Sequence, residues 1–238
     1  MTSSAPSHPT ATDIQAIFNQ IAPQYDQLND RLSFGLHRIW KQMTVSWCGA
    51  QIGNTVLDVC CGSGDLTQRL AQQVGASGQV FGLDFAANLL AIAQQQNEQR
   101  YNPYPITWIE GDALALPFAA NTFDAATMGY GLRNVTDISQ SLRELHRVLN
   151  VGAKVAILDF HRPANPWMQQ FQTWYLQNLV VPAAEQCGMK DEYAYINPSI
   201  ERFPMGSAQV QLADQAGFSQ AVHYPIAGGL MGVLVATK

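Results

Sequence analysis

The sequence predicts an α/β protein built on a doubly wound, mostly parallel, seven-stranded sheet. Two observations predict this class. Short apolar runs rich in β-branched residues alternate with helical patterns, as in repeated strand–helix–strand units. The run at 55–59 also turns abruptly into a glycine pair and then a helical pattern, which indicates a buried strand, a tight turn and a helix start. We expect strands at 55–59, 79–84, 106–110, 123–128, 155–158, 218–224 and 230–236, the last two as a hairpin. Helix caps are expected at Thr136 and at Asn165, the latter followed by a proline, and Gly152 is expected to end the turn before the fifth strand.

The length of 238 residues suits one large α/β domain. Within it we expect a disordered Ser/Thr/Pro-rich tail at 1–11, an N-terminal helical cap at 12–50 and a Rossmann-like core at 51–238. A helical insertion is expected in that core at about 164–205. The cap should hold a second helix at about 37–48, after a first whose apolar positions share one helix face: Ile14, Ile17, Phe18 and Ile21.

The composition excludes several function classes. Charged residues make up 13% and hydrophobic residues 47%, which indicates apolar surface or an apolar cavity, since about 25% charged is typical. The net charge of -5, without a cluster of Lys and Arg, argues against nucleic acid as a partner. No apolar stretch reaches the ~20 residues of a membrane span. We therefore expect a cytoplasmic protein that contacts a membrane only peripherally.

The cysteines do not have the spacing of metal ligands or of a disulfide framework. Cys60 and Cys61 are adjacent, and Cys48 and Cys187 stand far from them. We expect no metal site, and reduced thiols of a cytosolic protein.

The glycine loop fits neither of the two common phosphate-binding patterns. Gly62 and Gly64 match a dinucleotide fingerprint, but Thr67 occupies the third glycine position, and the carboxylate of Asp65 would repel a pyrophosphate. The Gly-Lys-Ser/Thr of a P-loop is absent. Acids on both sides of the loop, Asp58 and Asp65, suit a nucleoside that carries positive charge and no phosphate. S-adenosylmethionine (SAM), with its sulfonium, ammonium and ribose, has this chemistry.

Acidic residues follow several of the predicted strands. Carboxyl ends of parallel strands meet at one edge of a sheet, where ligands of such folds bind. Asp84 follows the loop by about 20 residues, the position of the acid that binds ribose hydroxyls. A strand–turn–helix without any ligand would also explain the loop alone, but not the set of residues at these ends: Asp58, Asp84, Asp112, Gly129 and Asp159.

Three blocks of the chain resemble the C-methyltransferases of ubiquinone and menaquinone biosynthesis. They are Tyr25-Asp26-x-Leu28-Asn29 through Ser33-x3-His37-x2-Trp40, then Gly131-Leu132-Arg133-Asn134-Val135-Thr136-Asp137, and Tyr195-x2-Pro198-Ser199-Ile200-x2-Phe203-Pro204. The resemblance covers roughly residues 14 to 238. It implies a class I SAM-dependent methyltransferase of Rossmann-like fold.

The chain departs from the family pattern at several places. Leu28 stands where Met is usual, Cys60 and Cys61 stand where small residues are common, and Asp159-Phe160-His161 replaces a Glu-x-Ser block. This combination is similar to the cyanobacterial branch, which methylates demethylphylloquinone. Motif chemistry does not decide between a naphthoquinol and a benzoquinol ring.

The resemblance implies a set of cofactor contacts. Gly62, Ser63 and Gly64 would shape the loop under the methionine moiety, and Asp58 would face its ammonium group. Asp84 would accept from both ribose hydroxyls. The remaining contacts are expected around the adenine and the sulfonium, from Phe85, Asp112, Ala113 and Gly129, the last leaving room for the sulfonium.

Methylation of a ring carbon requires an electron-rich acceptor. A quinone ring is electron-poor, so we expect the quinol, with a base that takes the phenol proton and no metal. Candidate bases are His37, Asp159, His161, Tyr25 and Asp26, of which Asp159 is favoured because it ends a strand at the site. His37 and His161 have structural interpretations as well. Arg133 could stabilise a phenolate or form a structural ion pair.

An aromatic helix predicted at 167–181 has two interpretations. It packs in the core or a homodimer, or it lines a channel for a polyprenyl or phytyl tail together with Trp40 and Trp47. The expected partners are a lipophilic quinol, a membrane surface, a second copy of the chain and a quinone reductase that supplies the quinol.

Other functions remain open. One is a SAM methyltransferase for demethylmenaquinol, a benzoquinol, a sterol or another small phenol. Another is a non-catalytic SAM-binding assembly protein. A nicotinamide oxidoreductase is disfavoured by Thr67 and Asp65.

Overall fold

A computed structural model describes residues 33, 35–185 and 196–238. The predicted fold class is confirmed: one seven-stranded sheet has the order β3-β2-β1-β4-β5-β7-β6. The strands are β1 (Thr55–Val59), β2 (Gln79–Asp84), β3 (Ile106–Glu110), β4 (Phe123–Gly129), β5 (Leu149–Phe160), β6 (Gln220–Ile226) and β7 (Met231–Thr237). β7 runs antiparallel to both of its neighbours, and β1 to β5 are parallel. Predictions for the tail, the first cap helix, Tyr25, Asp26, Cys187 and Tyr195 lie outside the described residues.

Helices connect the strands on both faces of the sheet. They are α1 (Leu36–Trp47), α2 (Asp65–Val74), α3 (Ala87–Glu98), α4 (Ile138–Val148), α5 (Pro166–Tyr175), α6 (Val181–Glu185), α7 (Ile196–Arg202) and α8 (Gly206–Gln215). A π-helical turn, Leu176–Val180, joins α5 to α6, and 3₁₀ turns occupy Leu132–Asn134 and Ala227–Gly229. No helix among these residues is long and apolar enough to cross a membrane.

The N-terminal caps of α4 and α5 are residue types that commonly cap helices, Asp and Asn. Asn165 accepts a hydrogen bond from the backbone of Trp167, with a proline at the start of α5, as predicted. The cap of α4 was predicted wrongly. It is Asp137, whose carboxylate accepts from the backbone of Gln140, and not Thr136.

The parallel register brings the carboxyl ends of β1 to β5 to one edge. Val59 lies opposite Leu83 on one side and Met128 on the other. Asp84 lies opposite Glu110, while the end of β4 pairs with Leu158 of β5. From β1 the chain first adds β2 and β3 on one side and then crosses to β4 on the other side of β1. The gap beyond the ends of β1 and β4 is therefore the expected ligand site.

Alternate strand residues fill two apolar layers. Leu57 and Val59 pack in a core cluster with α4 and α8, whereas Val56 packs with α1 and α2 on the other face. Val45 of α1 is fully buried there. Helix α1, predicted as part of a cap over the core, is therefore one of the helices that cover the sheet.

β5 is longer than predicted. Gly152, expected in a turn before the strand, has a φ of 81° and lies inside it. Its N–H donates to the carbonyl of Lys238, so the C-terminal residue supplies a backbone partner there.

Candidate active site

A cavity of about 280 Å³ opens beyond the carboxyl ends of β1, β2 and β4. Its volume is just below the usual range for small-molecule sites, about 300–1,000 Å³. Seven of the nine predicted cofactor residues line it: Gly62, Ser63, Asp84, Phe85, Asp112, Ala113 and Gly129. Asp58 and Gly64 do not.

The glycine loop exposes its backbone at one position and packs at the other. Gly62 has a φ of 55°, and a side chain added there would meet nothing within 4 Å. A side chain at Gly64, whose φ is 85°, would lie 2.6 Å from Trp108. Gly62 therefore gives a ligand access to the backbone, whereas Gly64 allows α2 to approach β3.

Asp84 links the loop to the next strand. Its carboxylate accepts from the backbone N–H of Gly62 at 2.8 Å and of Ala86 at 2.9 Å. Burial raises its pKa, against these two hydrogen bonds. Each carboxylate oxygen has a second lone pair, so the group can still accept from two hydroxyls of a ligand in the cavity.

Asp58 lies beneath the cavity and not in its wall. Its two oxygens accept hydrogen bonds of 2.7 Å from the hydroxyls of Thr67 and Thr127. Burial raises its pKa to about 7, although both hydroxyls oppose the shift. Through these threonines Asp58 joins β1, α2 and β4, and its approach to a cofactor ammonium, directly or through water, stays a prediction.

The part of the cavity around Asp112 combines an acid with apolar walls. The side chain of Asp112 accepts from the backbone of Leu114 at 2.9 Å. Ala113 is buried beside it, and Phe85 packs with Leu89 of α3. An acceptor between apolar surfaces suits a flat base with an exocyclic amine.

Gly129 lines the cavity and also contacts α2. A side chain there would overlap the Cδ1 methyl of Leu66, itself a cavity residue of α2. The absence of a side chain at Gly129 thus lets Leu66 of α2 pack against β4. The next residue, Tyr130, also lines the cavity and has a φ of 60°, which is rare for a bulky side chain.

Arg133 and Asp159 pair with each other outside the cavity lining. Their side chains are 7% and 4% exposed and lie 3.0 Å apart. Burial raises the pKa of Asp159, and the Arg133 guanidinium opposes that shift. Neither residue has the position predicted for a base or a phenolate ligand, because each side chain is directed to the other.

The two candidate histidines are also buried away from the lining. His37 lies in the first turn of α1, on its buried face. The ring of His161 is 4.7 Å from that of His223, with its Nδ1 buried and without a hydrogen bond. Burial lowers the pKa of the His161 ring and also that of the His223 ring, the latter to about 4. This makes His161 a structural residue of the β5–β6–β7 corner.

Two thiols line the cavity. Cys60 has a φ of 55° and packs against Gly131, and Cys61 is 8% exposed. Burial raises the pKa of both well above the ordinary 9.0, and the surrounding acids, first Asp84, add to the shift.

The sequence interpretation missed Lys41, which reaches the cavity from α1. Its Nζ lies 2.8 Å from Asp65, whose other oxygen accepts from Arg69 at 2.9 Å. Burial alone would raise the pKa of Asp65, but the two cations outweigh it and lower the pKa. The charge of the ionised Asp65 is thus compensated by two cations, which weakens the predicted repulsion of a pyrophosphate. Position 41 follows His37 by one helix turn, so the buried face of the predicted helix could have revealed it.

The residues present fit SAM. A carboxylate with spare acceptors suits the ribose, an exposed glycine backbone suits the methionine moiety, and an acid in an apolar end suits the adenine. Fold and site together define a SAM-dependent methyltransferase with a class I, Rossmann-like fold. The chain belongs to the ubiE/COQ5 methyltransferase family, whose model matches residues 7–238.

Similar proteins agree with this assignment. A "2-phytyl-1,4-naphtoquinone methyltransferase" of Nostoc punctiforme is 61% identical, over 95% of this chain and 98% of its own. One of the same name from Synechocystis sp. is 58% identical over the whole of both chains. The chloroplastic "2-phytyl-1,4-beta-naphthoquinone methyltransferase" of Arabidopsis thaliana is 50% identical, over 93% of this chain and 86% of its own. The crystal structure of a SAM-dependent methyltransferase from Aquifex aeolicus has the same fold, with a TM-score of 0.62 at 18% identity over 93% and 97% of the two chains.

Proposed function

We propose that this enzyme methylates the ring of 2-phytyl-1,4-naphthoquinol (demethylphylloquinol), giving phylloquinol. The observation that carries the proposal is the shared name of the relatives, which align over nearly the whole chain at half or more identical residues. Alignment of that extent includes every segment that lines the cavity. Demethylmenaquinol, a benzoquinol and a sterol are the competing acceptors.

The acceptor is the quinol and not the quinone. Bound SAM supplies an electrophilic methyl group on a sulfonium sulfur. Only an electron-rich ring carbon reacts with it, and a hydroxyl ortho to that carbon provides the electron density. The protein must therefore accept the phenol proton and align the acceptor with the methyl group. The need for a reduced acceptor also supports a quinone reductase as a partner.

We expect two residues to exchange the phenol proton and one ion pair to position the site. Tyr25, which lies outside the described residues, remains an acid–base candidate. His37 remains the second, because it lies one helix turn before the cavity residue Lys41 on the same face of α1. The Arg133–Asp159 pair is a positioning unit, because Arg133 also donates to the carbonyl of Tyr130, at 2.7 Å. If His37→Ala and Tyr25→Phe both kept normal turnover with unchanged affinity for S-adenosylhomocysteine (SAH), neither residue would be the base.

The aromatic helix α5 is proposed as the contact with a membrane. Trp167 and Trp174 are 79% and 52% exposed, and Phe171 stacks beside Trp174. No Asp, Glu, Lys, Arg or His occurs between Arg162 and Glu185. Exposed aromatics on an uncharged helix suit the interface of a bilayer, where a phytyl quinol resides. The protein would then be cytoplasmic and peripheral to the membrane, with a homodimer through α5 as the alternative.

The decisive experiment follows tritium from methyl-labelled SAM into an organic extract. The acceptors are 2-phytyl-1,4-naphthoquinone, demethylmenaquinone, a demethylated benzoquinone and a sterol, each with and without dithionite. We expect label in the phytyl naphthoquinone only under reducing conditions, and none with Asp84→Ala. Preferential labelling of another acceptor would replace the proposed substrate. Binding of SAH without label in any acceptor would instead indicate the assembly protein.

A further inference from the structure

Lys41 is the one basic residue in the lining of the cavity among the described residues. It is 7% exposed, on the face of α1 that also buries His37 and Thr44. Lysine is almost never buried to this extent unless its charge has a partner. A buried ammonium at the wall of a ligand cavity therefore needs an explanation.

Asp65 alone does not account for this lysine. Its carboxylate already accepts from Arg69 at 2.9 Å, in addition to Lys41 at 2.8 Å. Lys41, Arg69 and Asp65 together carry a net charge of +1 beside the cavity, and Asp58, buried below the lining, also interacts electrostatically with Lys41. The bond to Asp65 uses one of the three donors of the ammonium. The cluster is thus complementary to one further anionic group.

The charge of the cavity changes sign from one end to the other. Asp84 and Asp112 line the end that suits ribose and adenine, and they would repel an anion. SAM carries one anionic group, the carboxylate of its methionine moiety, at the end opposite the adenine. A carboxylate seated at Lys41 would bring the charge of the cluster with Asp65 and Arg69 to zero.

We propose that Lys41 binds the methionine carboxylate of the cofactor, so that α1 contributes directly to cofactor selection. The inference rests on the SAM cofactor and is independent of which quinol is methylated. It also gives α1 a ligand contact in addition to its place in the core.

The test pairs a protein change with a ligand change, using calorimetry on the full chain. The ligands are SAH and its decarboxylated analogue S-adenosyl-3-thiopropylamine, which keeps the ammonium. We expect the wild type to bind SAH at least ~10-fold more tightly than the analogue. Lys41→Met should weaken SAH binding by about 10- to 100-fold and change binding of the analogue by less than about 3-fold.

Two controls separate recognition from structure. Lys41→Arg keeps the charge and should retain SAH affinity within about 5-fold. Arg69→Met removes the other cation on Asp65, outside the lining; it should weaken SAH binding by less than about 5-fold, clearly less than Lys41→Met does, and change binding of the analogue by less than about 3-fold. Equal losses for both ligands in Lys41→Met would assign Lys41 a structural role and overturn the proposal. Equal binding of both ligands by the wild type would overturn it without any variant.

Discussion

Asp159 accepts hydrogen bonds from both the backbone and the side chain of Arg133, each at 3.0 Å. The same guanidinium donates to the carbonyl of Tyr130 and lies 5.1 Å from the centre of the Phe160 ring. Tyr130 is the cavity residue with a left-handed backbone. The ion pair thus fixes the strained wall of the cofactor site from behind.

Removing one partner of this pair should be costly. Arg133→Met leaves the Asp159 carboxylate buried without its cation, so we expect the free energy of unfolding to fall by about 3–5 kcal/mol in urea titrations. The double variant Arg133→Met/Asp159→Leu removes both charges and should regain most of the loss. Arg143→Met, at an exposed arginine, should stay within about 0.5 kcal/mol of wild type. A double variant as unstable as the single one would contradict this account.

The acids of β1 and β2 should differ in their effect on cofactor affinity. Asp84 lines the cavity and has spare acceptors, so Asp84→Asn should weaken SAH binding by about 10- to 100-fold. Asp58 lies below the lining, and Asp58→Asn should cost less than about 5-fold. Calorimetry at one pH measures both. Equal losses would mean that Asp58 contacts the cofactor after all.

The packing explanation of Gly129 can be tested by a compensating change. Gly129→Ala directs a methyl group at Leu66, and we expect a loss of about 1–3 kcal/mol of unfolding free energy. Leu66→Val removes the overlapping end of that side chain, so the double variant should be more stable than the sum of the single variants predicts. Strict additivity in urea titrations would show that the glycine is required for some other reason.

The half-buried His223 predicts a pH dependence of stability. Its pKa is about 4 in the folded protein and 6.5 ordinarily, so between these values the unfolded chain binds a proton that the folded chain does not. Stability from this residue is therefore complete above pH 6.5 and declines as the pH falls towards 4. His223→Gln should show a shallower decline than wild type in urea titrations from pH 4.5 to 7. Parallel profiles would exclude His223 as the source.

The proposed membrane contact depends on the exposed aromatics of α5. Trp167→Gln/Trp174→Gln should reduce co-sedimentation with uncharged phosphatidylcholine vesicles and leave turnover of a short-tailed quinol unchanged. Tyr101→Gln, which removes an exposed aromatic elsewhere, is the matched control. If the double variant instead lowers the sedimentation coefficient of the protein alone, α5 is a dimer interface. Loss of turnover on long-tailed acceptors alone would support the tail channel.

The strands could be predicted because each leaves a local pattern of β-branched and apolar residues. The start of β5 could not, because Gly152 resembles a turn and its strand conformation depends on pairing with the distant C-terminus. Likewise α1 was predicted as a helix, but its position on the sheet depends on contacts with α2 that no local pattern encodes.

The position of the site at the carboxyl ends of the strands could be predicted from the sequence, but the contacts of its individual side chains could not. The rule that ligands bind at carboxyl ends located Asp84 and Asp112 in the cavity. It also assigned Asp58 and Asp159 to the ligand, but it does not determine whether a side chain points to the ligand or to a neighbour. Partners 26 residues apart, as in Arg133 and Asp159, are set by tertiary packing.

The raised pKa of the two cavity thiols has a chemical consequence. A thiol reacts with electrophiles as its thiolate, and burial beside acids keeps Cys60 and Cys61 protonated at neutral pH. The oxidised form of the proposed acceptor is an electrophile that adds thiolates at its unsubstituted ring carbon. Iodoacetamide labelling of both residues at pH 7 should accordingly be slow in the folded protein. Burial thereby protects these two cavity thiols from alkylation by the oxidised form of the proposed acceptor.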